Sequence, residues 1–305
     1  MKDRQVWLEK GIIFKNLNLN WSKTHAMLPT PLKLNSDIYR IFFGTRNKKN
    51  QSSIGFIDYN LRTFKVINKS TSPILEKGGL GTFDDNGVLP SSLIKYKKKI
   101  YLFYIGWKPG STTRYSLIAG LSFSKDLKSK FKKYQESPIL YCNKNEPYSI
   151  LTAPSVYKEN KFFYMWYVSC NKWINKDLPT YDIKFAKSKN LVDWIQTGKV
   201  CIKLKKNERA VARPFVIKER KIFKMWYSYE KFNSGYQIGY AESKNGINWK
   251  RLDHKIRFKG NVLLNNQMRA YSVIIQHKKN KYMFYNGNDY GKFGIHLAKL
   301  ETPKK

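Results

Sequence analysis

Short apolar and aromatic runs recur along the chain, and turns rich in Lys, Asn, Ser and Gly separate them. Two of the runs, Phe162–Tyr167 and Ile222–Tyr227, are nearly continuous in apolar residues, and each follows another strand-like segment after a short polar turn. Runs of this length that are rich in aromatic residues and bounded by turn residues indicate β-strands joined in hairpins. The pattern therefore predicts an all-β chain whose sheets are buried against one another.

The hairpins recur at a regular spacing. In each of five units an anchor residue opens the first strand and an aromatic residue closes the second. The pairs are Pro31 with Phe43, Pro90 with Tyr104, Pro154 with Tyr167, Pro214 with Tyr227, and Tyr271 with Tyr285. Successive closing aromatics lie 61, 63, 60 and 58 residues apart. A period of about sixty residues that recurs five times indicates a repeat architecture.

A third and usually a fourth strand follow each hairpin. The segment Ile238–Trp249 is matched by Ile183–Trp194, and Ala119–Asp126 is a weaker copy. Each match contains a Ser-Lys-Asn or Ser-Lys-Asp turn after its strand. Four strands in each of five units predict a five-bladed β-propeller with four-stranded antiparallel blades, and a β-sandwich with chance spacing is the alternative.

The repeat predicts one propeller domain over residues 1–305. The blades are expected at residues 22–78, 79–142, 143–204, 205–262 and 263–300. The last unit has three clear strands, whereas Gln5–Phe14 looks like one extended strand with no repeat of its own. Because a propeller must close its ring, we predict that this N-terminal strand completes the fifth blade and covers its open edge.

The net charge of +37 arises from 58 Lys and Arg against 21 Asp and Glu. A basic surface attracts polyanions, but a chain rich in Lys, Asn and Ile is also what an AT-biased genome produces without selection. The runs Lys97–Lys99 and Lys203–Lys206 fall at expected turns and blade edges, which favours solvated loops. Without a helix-turn-helix, zinc-finger or RNA-recognition pattern, nucleic acid is not an expected partner.

No segment approaches the roughly 20 apolar residues of a membrane span. Residues 1–14 carry several charged side chains and no apolar signal core, so we expect a cytoplasmic protein. The three cysteines, Cys142, Cys170 and Cys201, have no metal-ligand spacing and fit a reducing compartment. We therefore expect no metal or other cofactor, and the sequence leaves the oligomeric state open.

Polar residues occupy one equivalent position in every unit. They stand six residues before the anchors and are His25, Asp84, Tyr148, Glu208 and Asn265. In a propeller the inner strands line the central channel, so residues that lead into them form a ring at its rim. The sequence therefore predicts that side chains distant along the chain converge at one end of the channel.

The acidic residues of this ring are the candidates for catalysis. Asp84 and Asp85 form an acidic corner just before Gly87, and Glu208 lies two blades away. Glycoside cleavage needs a carboxylic acid that protonates the leaving oxygen and a carboxylate that acts as nucleophile or base. Burial in a funnel separates the pKa values of such groups. We predict catalytic roles for Asp84, Asp85 and Glu208, and the alternative is that one Asp caps the turn at Gly87.

Arginine is scarce in this Lys-rich chain, yet four arginines fall at or close to strand ends that face the same funnel. They are Arg46, Arg209, Arg213 and Arg269. A planar guanidinium group grips carboxylate or phosphate oxygens in a bidentate way that Lys cannot. We therefore predict that they bind an anionic substrate or phosphate. The alternative for Arg209 and Arg213 is a simple ion pair with Glu208.

Four further residues complete the predicted substrate-binding set. His25 could bind the anion or move a proton, and a hydrogen-bonded structural histidine is the alternative. Trp107 and Tyr271 are candidates for stacking on a sugar face, and core packing is the alternative for both. Tyr148 belongs to the set because of its place in the predicted ring.

The turn Ser243–Trp249, the blade of about sixty residues and the rim carboxylates resemble the five-bladed propeller glycosidases of glycoside hydrolase families 32, 43, 62, 68 and 130. The corner Phe83–Pro90 looks most like that of the family 130 phosphorylases and hydrolases. This resemblance implies a single Asp as general acid, here Asp84 or Asp85. It also implies basic residues that hold phosphate, here drawn from Arg46, Arg213 and Arg269.

The fructosidase motifs Trp-Met-Asn-Asp-Pro-Asn, Arg-Asp-Pro and Glu-Cys do not occur in the sequence, which argues against a retaining fructosidase. The expected function is cleavage of a glycosidic bond in an anionic or phosphorylated glycan, by inverting hydrolysis or by phosphorolysis. The alternatives are a transferase or modifying enzyme in surface-polysaccharide assembly, a carbohydrate-binding propeller without catalysis, and a polyanion-binding scaffold.

Overall fold

The computed structural model describes residues 4–127, 129–260 and 267–301. Within these ranges almost every element is a strand in an antiparallel blade, and the blades form a five-bladed β-propeller, which confirms the predicted fold class. The aromatic-rich runs form the second strands of blades 3 and 4. Their sequence is nearly continuous in apolar residues because neighbouring blades cover both faces of these strands.

Four of the blades use strands that follow one another in sequence. Blade 1 contains β2 (Thr24–Lys33), β3 (Ile38–Arg46), β4 (Ser52–Asn60) and β5 (Lys65–Lys69). Blade 2 contains β6 (Gly87–Tyr96), β7 (Lys99–Pro109), β8 (Tyr115–Ser124) and β9 (Lys132–Lys133). Blade 3 contains β10 (Ile150–Glu159), β11 (Phe162–Asn175), β12 (Leu178–Ser188) and β13 (Ile195–Ile202). Blade 4 contains β14 (Glu208–Glu219), β15 (Ile222–Lys231), β16 (Gln237–Ser243) and β17 (Lys250–Arg251).

Blade 5 combines the two ends of the chain. Its elements are β1 (Gln5–Phe14), β18 (Ile256–Lys259), β19 (Ala270–His277), β20 (Asn280–Asn286), the one-turn helix α1 (Asn288–Gly291) and β21 (Ile295–Leu300). β1 pairs antiparallel with β21, from Trp7 opposite Leu300 to Phe14 opposite Ile295. β18 pairs in parallel with the other edge of β1. The N-terminal strand therefore closes the last blade, as predicted.

Large aromatic side chains fill the layers between blades. Trp166 of blade 3 packs against Phe223 and Trp249 of blade 4, with ring centroids 5.7 and 5.9 Å away. Its indole N–H donates a hydrogen bond to the carbonyl of Gly246 in that blade, at 2.7 Å. Each large apolar side chain that is fully removed from water contributes about 1.5 to 3 kcal/mol to folding. The Ser-Lys-Asn turn recognised in the repeat is thus a point at which one blade holds its neighbour.

A β-bulge interrupts the start of every inner strand. The bulge residue has a positive φ in four blades: 54° at Leu28, 49° at Ala153, 49° at Arg213 and 59° at Tyr271. Blade 2 has Pro90 at this place, and its ring holds φ near −65°. Residues other than Gly lose about 1 to 2 kcal/mol in the left-handed conformation, and such strain collects at functional sites. Four strained positions therefore lie at one end of the channel.

Candidate active site at the mouth of the propeller

We name the end of the channel at which the inner strands begin the mouth. All five blades contribute to a buried apolar cluster there, including Met27, Leu28, Leu89, Ile105, Ile150, Ala153, Ala210, Ala212, Met268 and Ala270. Partly buried aromatic rings pack against this cluster, namely Tyr115, Tyr148, Trp173 and Tyr271. The mouth therefore has an apolar base with aromatic rings around it, the kind of surface on which the face of a sugar ring can stack.

Tyrosines from four blades meet at the mouth. The hydroxyl groups of Tyr115 and Tyr181 lie 3.2 Å apart. The rings of Tyr236 and Tyr271 have centroids 6.0 Å apart, and Tyr236 also contacts Tyr290 edge to face at 6.2 Å. Burial raises the pKa of Tyr181, Tyr236 and Tyr271. These hydroxyl groups therefore stay protonated at neutral pH and can donate hydrogen bonds.

Glu230, near the end of β15, is an acidic residue of this aromatic group. It is 7% exposed, and Arg209 donates a hydrogen bond to its Oε2; Oε1 has no hydrogen bond to another described residue. Burial raises the pKa of Glu230, although the charge of Arg209 opposes the shift. Burial also raises the pKa of Tyr236, Tyr271 and Tyr290, and the negative charge of Glu230 adds to each shift. The carboxyl group thus lies within electrostatic reach of all three tyrosines.

Arg213 extends from the bulge of blade 4 to blades 1 and 2. Its guanidinium group is 1% exposed and donates hydrogen bonds to the hydroxyl groups of Ser91 at 3.4 Å and Thr30 at 3.1 Å. Its Nε has no partner, and no carboxylate pairs with it in the described part of the protein. Burial lowers the pKa of Arg213 to about 9. A buried cation without a counter-charge is costly, so this position favours a bound anion.

Arg46, at the end of β3, has similar properties. It donates a hydrogen bond to the side chain of Asn50 at 2.9 Å, but its Nε is buried without a partner. The guanidinium carbon lies 5.8 Å from the ring centroid of Trp107. Burial lowers the pKa of Arg46, and the charge of Tyr271 opposes the shift. Because Tyr271 opposes the shift of Arg213 in the same way, both guanidinium groups lie near this tyrosine.

His25 also lies at the mouth, beside Arg46. Its Nδ1 is 2.9 Å from the hydroxyl oxygen of Thr24, and its φ of 64° is in the left-handed region. Burial lowers the pKa of His25 to about 4, and the charges of Arg46 and Lys292 act in the same direction. The imidazole is therefore neutral at pH 7, so it can exchange hydrogen bonds with a substrate but brings no positive charge.

The predicted catalytic aspartates have a different environment. Asp84 is 1% exposed, and its Oδ2 accepts a hydrogen bond from the hydroxyl of Tyr104 at 3.0 Å and pairs with Lys133 at 2.6 Å. Asp85 accepts a hydrogen bond from the backbone amide of Gly81 at 3.0 Å, which is a turn-capping contact. Both aspartates are thus engaged by groups of the loop and blade to which they belong.

Glu208 is held in a comparable way in blade 4. Arg251 donates two hydrogen bonds to it, at 2.7 and 2.8 Å, and the amide of Lys205 donates a third at 2.8 Å. The hydroxyl of Tyr227 donates to Asp253, which also pairs with Arg251 at 2.9 Å. The partner of Glu208 is therefore Arg251, and the ion pair with Arg209 or Arg213 that the sequence left open does not form.

The same arrangement recurs in blades 2 to 5, and we name it a clasp. Each clasp joins a carboxylate, the tyrosine that closes the second strand, and a Lys or Arg. The four clasps are Asp84 with Tyr104 and Lys133, Glu146 with Tyr167 and Lys184, Asp253 with Tyr227 and Arg251, and Glu9 with Tyr285 and Arg269. Blade 1 has Phe43 at the tyrosine position, and this side chain has no hydroxyl to donate. The clasps tie the segment before an inner strand, or the outer strand, to the middle of the blade.

The structure divides the residues that the sequence singled out. Those at the mouth are His25, Arg46, Trp107, Tyr148, Arg209, Arg213 and Tyr271. Asp84, Glu208 and Arg269 lie in or beside the clasps of three different blades, and no hydrogen bond or ion pair between described atoms joins one to another. Asn265 lies outside the described residues. The catalytic roles of Asp84, Asp85 and Glu208 stay predictions.

The bulges shift the equivalence that the sequence suggested. Strand pairing aligns Pro31 with Val156, and Pro90 with the residue before Pro154, so the five anchors are offset by one or two positions. The acid of the blade 3 clasp is Glu146, two residues before Tyr148. One residue of this difference is the shift between Pro90 and Pro154, and the other is one more residue between the acid and the inner strand. A bulge leaves no mark in the apolar pattern, because the strand on each side of it still alternates.

The sequence patterns did not identify Glu230 or the tyrosines at positions 115, 181 and 236 as candidate site residues. A signal for Glu230 existed three residues after each closing aromatic, where the second strand reaches the mouth. The five units carry different residues there, namely Arg46, Trp107, Cys170, Glu230 and Asn288. Tyr181 and Tyr236 also left a signal, because each stands two residues before the matched segments that begin at Ile183 and Ile238. Tyr115 left none, because the equivalent position of blade 2 is Leu117.

Within the described ranges, no helix has the length and apolarity needed to cross a lipid bilayer. The same ranges contain no group of three or more His, Cys, Asp or Glu side chains that could hold a metal ion. The three cysteines are free thiols. Burial raises the pKa of Cys170 and Cys201 to about 12, so both stay protonated at neutral pH.

Comparison with known proteins gives matches over the whole length. The Glycosyl hydrolases family 32 N-terminal domain matches residues 79–214, which is blade 2 through the first part of blade 4. The uncharacterized protein Rv1502 of Mycobacterium tuberculosis is 30% identical over 303 residues, which is 97% of this chain and 100% of that protein.

Solved glycosidase structures share the fold. A glycoside hydrolase superposes with a TM-score of 0.74 at 18% identity, over 97% of this chain and 92% of that one. The GH62 α-L-arabinofuranosidase of Coprinopsis cinerea superposes with a TM-score of 0.68 at 10% identity, over 98% of both chains. A thermostable family-43 glycoside hydrolase superposes with a TM-score of 0.65 at 18% identity, over 91% and 89%. This protein therefore belongs to the same family as Rv1502, and it shares the fold of the five-bladed propeller glycosidases.

Proposed function

We propose that this protein cleaves a glycosidic bond of an anionic glycan at the mouth of the propeller. The family 32 match and the glycosidase fold support a glycoside-hydrolase-like enzyme with a carbohydrate substrate. The observation that carries the finer proposal is the position of Glu230, whose pKa is raised, near the tyrosine that Arg46 and Arg213 also approach. A carboxyl group with a perturbed pKa beside unpaired cations is typical of an active site.

Glu230 is the proposed proton donor. Its raised pKa keeps more of it protonated near neutral pH than an exposed glutamate would be. Arg209 holds Oε2, so Oε1 is the atom that can pass a proton to the leaving oxygen of the glycosidic bond. The tyrosine hydroxyls around it can hold the sugar hydroxyls, because they stay protonated.

Arg46 and Arg213 are the proposed ligands of the negative charge on the substrate. Each has a buried Nε without a hydrogen-bond partner. An incoming carboxylate or phosphate group satisfies these donors, and charge-assisted hydrogen bonds of this kind are stronger than neutral ones. The fold already carries the cost of desolvating both guanidinium groups, so the anion binds to a preorganised site.

Phosphate is the proposed nucleophile. One of its oxygens forms a bond to the anomeric carbon, the glycosidic C–O bond breaks, and the proton of Glu230 moves to the leaving oxygen. Glu230 then regains a proton from the attacking hydrogen phosphate, so atoms and charges balance. This route needs one carboxyl group, whereas inverting hydrolysis needs a second carboxylate to activate water. The clasped state of Asp84 and Glu208 supports the route with one carboxyl group.

The variant Glu230→Gln tests the proposal. We expect its turnover on a panel of glycosides to fall by about 10² to 10⁴, the usual contribution of a general acid, with a melting temperature that does not fall below that of wild type at the assay pH. The matched control is Glu242→Gln, which removes a carboxylate that accepts a hydrogen bond from Tyr240 on β16. Equal turnover for wild type and Glu230→Gln would show that Glu230 is not the acid.

The same assay tests the residues predicted from the sequence. Turnover is measured for Asp84→Asn, Asp85→Asn and Glu208→Gln, and each rate is divided by the folded fraction of the variant. Assays with and without phosphate separate the reactions: glycosyl phosphate as product identifies phosphorolysis, and free sugar without phosphate identifies hydrolysis. Transfer of the sugar to an acceptor glycan identifies the transferase alternative.

A carbohydrate-binding propeller without catalysis is the second candidate function. The observation in its favour is that Asp84 and Glu208 are both held in ion pairs inside their blades. Glycan binding by wild type that is equally tight in Glu230→Gln, with no product in any assay, selects this function. Loss of binding in Arg213→Met then distinguishes the mouth from a site elsewhere.

A further inference from the structure

The end of the channel opposite the mouth is surrounded by the five hairpins that join each inner strand to its second strand. Their tips lie at residues 34–37, 97–98, 160–161, 220–221 and 278–279. The fold brings the tips together around one opening, because the inner strands run side by side around the channel. We name this surface the hairpin face.

The hairpin face is strongly basic. Residues 33–37, 95–99, 158–161, 218–221 and 278–279 carry twelve Lys or Arg against three Asp or Glu, so nine positive charges are uncompensated. All but one of the twelve are Lys. The proposed activity at the mouth makes no use of this charge.

The three acids of the hairpin face form ion pairs between neighbouring blades. Glu159 of blade 3 pairs with Lys218 of blade 4, and Asp37 of blade 1 pairs with Lys278 of blade 5 at 2.9 Å. The third acid, Glu219, pairs across to blade 5 in the same way. Among the described residues, no ion pair forms at the outermost exposed cations, which are Lys97, Lys98, Lys161, Arg220, Lys221 and Lys279.

Four of these cations have a backbone conformation that favours other residue types. Lys97 and Lys98 have φ values of 45° and 60°, and Arg220 and Lys221 have φ values of 47° and 66°. Two-residue hairpin turns with positive φ at both central positions strongly prefer Asn-Gly. Blade 3 does use Asn160, at a φ of 53°, so the sequence places Asn in such turns. A general excess of Lys and Asn codons does not explain why Lys or Arg occupies both central positions of the hairpin turn in blades 2 and 4.

Exposed apolar side chains accompany the charge. Leu34, at the tip of the first hairpin, is 37% exposed. Phe64 is 48% exposed in the turn between β4 and β5, which leaves blade 1 at the same end, and its φ is 56°. A positive φ is a genuine outlier for a bulky residue, so the exposed ring is also kept against backbone preference.

We infer that the hairpin face docks on an anionic phospholipid bilayer. A ring of exposed lysines with two exposed apolar side chains suits the delocalised charge and the interfacial zone of such a membrane. Recognition of nucleic acid relies more on arginine forks and on stacked aromatic platforms, which this ring does not combine. The docked protein presents its mouth to the solution on the side away from the lipid.

The test compares four neutralising substitutions with a matched set. The variant Lys97→Asn, Lys98→Gly, Arg220→Asn and Lys221→Gly removes four charges from the hairpin face and installs the preferred turn residues. The control variant Lys48→Asn, Lys49→Asn, Lys172→Asn and Lys176→Asn removes four exposed charges from the mouth end, two in the turn after β3 and two in the β11–β12 hairpin. Binding is measured by sedimentation with vesicles of phosphatidylcholine alone and of phosphatidylcholine with about one third phosphatidylglycerol.

We expect wild type to bind the anionic vesicles and not the neutral ones. The hairpin variant should bind several hundredfold more weakly, because each Lys or Arg near an anionic bilayer contributes about fivefold to the affinity and four are removed. Its melting temperature should rise or stay constant, because the new residues suit the turns. The control variant should lose less than about tenfold, and Leu34→Ser with Phe64→Ser should weaken binding several-fold.

Three results would overturn the inference. Equal binding to neutral and anionic vesicles would remove the electrostatic basis. Equal losses in the hairpin and control variants would show that only the net charge matters. Tighter binding to duplex DNA than to anionic vesicles at the same salt concentration, lost in the hairpin variant, would assign the surface to nucleic acid instead.

Discussion

Two sets of charged residues in this propeller are chemically alike and physically different. In the clasps and beside them, acids such as Asp84 and Glu208 have ion-pair and hydrogen-bond partners within their own blade. At the mouth, Glu230 has a partner on one oxygen, and Arg46 and Arg213 have buried Nε atoms without any. The clasps are complete without a ligand, whereas the mouth leaves donors that a ligand would satisfy.

The clasp and mouth positions also differ in how much their residues vary from one unit to the next. The tyrosine of the clasp occurs in four of the five units, together with an acid and a base. The position three residues later holds Arg46, Trp107, Cys170, Glu230 or Asn288. A residue type that recurs in most blades stabilises the individual blade. The position at which all five blades differ is the better guide to the chemistry of the mouth.

The largest expected effect comes from breaking a clasp. Arg251→Met removes the cation of the blade 4 clasp and leaves the carboxylate of Glu208, whose side chain is 3% exposed, without its ion-pair partner. Loss of one member of a buried ion pair costs about 3 to 5 kcal/mol in the free energy of unfolding. Chemical denaturation measures this loss. The exposed acid Glu76, which pairs with Lys130, is the control, and Glu76→Ala should cost less than about 1 kcal/mol.

Arg213→Met should have little effect on stability and a large effect on substrate binding. It removes a buried charge that has no counter-ion, so the free energy of unfolding should stay constant or rise. The same change should raise KM for an anionic substrate by about a hundredfold, because a charge-assisted hydrogen-bond partner is lost. Denaturation and steady-state kinetics on one preparation measure both effects. A loss of stability without a change in KM would class Arg213 with the clasps.

The next largest expected effect is on the pH dependence of stability, which should differ between a clasp and the mouth. Burial raises the pKa of Glu146, but hydrogen bonds, including one from Tyr167 at 2.7 Å, and the charge of Lys184 outweigh it, so the folded-state pKa lies below 4.5. Its contribution is therefore complete above about pH 4.5 and is lost as the pH falls through the folded-state pKa. Glu230 has a raised pKa, so its ionisation costs stability as the pH rises from about 4.5 through its folded-state pKa.

Melting temperatures measured across this pH range check the sign. Glu230→Gln should keep the loss of stability in acid and should lack the decline on the less acidic side. Glu146→Gln should show a smaller loss in acid and keep the other decline. If both variants give the wild-type curve displaced by a constant, neither titration contributes to folding.

The smallest expected effect comes from single hydroxyl groups. Tyr104→Phe removes the hydrogen bond to Asp84 and should cost about 1 kcal/mol, since the ion pair with Lys133 remains. Phe43→Tyr makes the reverse change in the blade without a clasp. It buries a new hydroxyl in an apolar layer and should cost about 1 to 3 kcal/mol. Equal stability for wild type and Phe43→Tyr would indicate that blade 1 can form a clasp as well.

Sequence reasoning reached the fold because the fold is repeated. A period near sixty residues, read from closing aromatics such as Tyr167 and Tyr227, is a local signal that occurs several times, so one weak copy does little harm. The strand Gln5–Phe14 was placed correctly because a ring leaves a single edge to cover. The division into one domain over residues 1–305 and a cytoplasmic location stay predictions.

The site was harder to predict for two physical reasons. The bulges offset the anchor residues, and the segment between the acid and the inner strand differs in length between blades 2 and 3, so the predicted ring included Tyr148 in place of Glu146. The environment of Glu230 comes largely from Tyr271 and Tyr290 of blade 5, besides Tyr236 of its own blade, and contacts between blades leave no pattern around the residue itself. Arg46 and Arg213 were found because arginine is rare in this sequence.

The pairing of β1 with β21 sets an order of events during synthesis. A ribosome synthesises β1 before blades 1 to 4 and β21 after them, so blade 5 lacks one of its strands until residues 295–300 have left the ribosome. Nascent chains arrested before residue 295 should therefore resist protease in their completed blades and be cut near β1. The ring thus closes only after the synthesis of β21, whatever the pace of the codons that precede it.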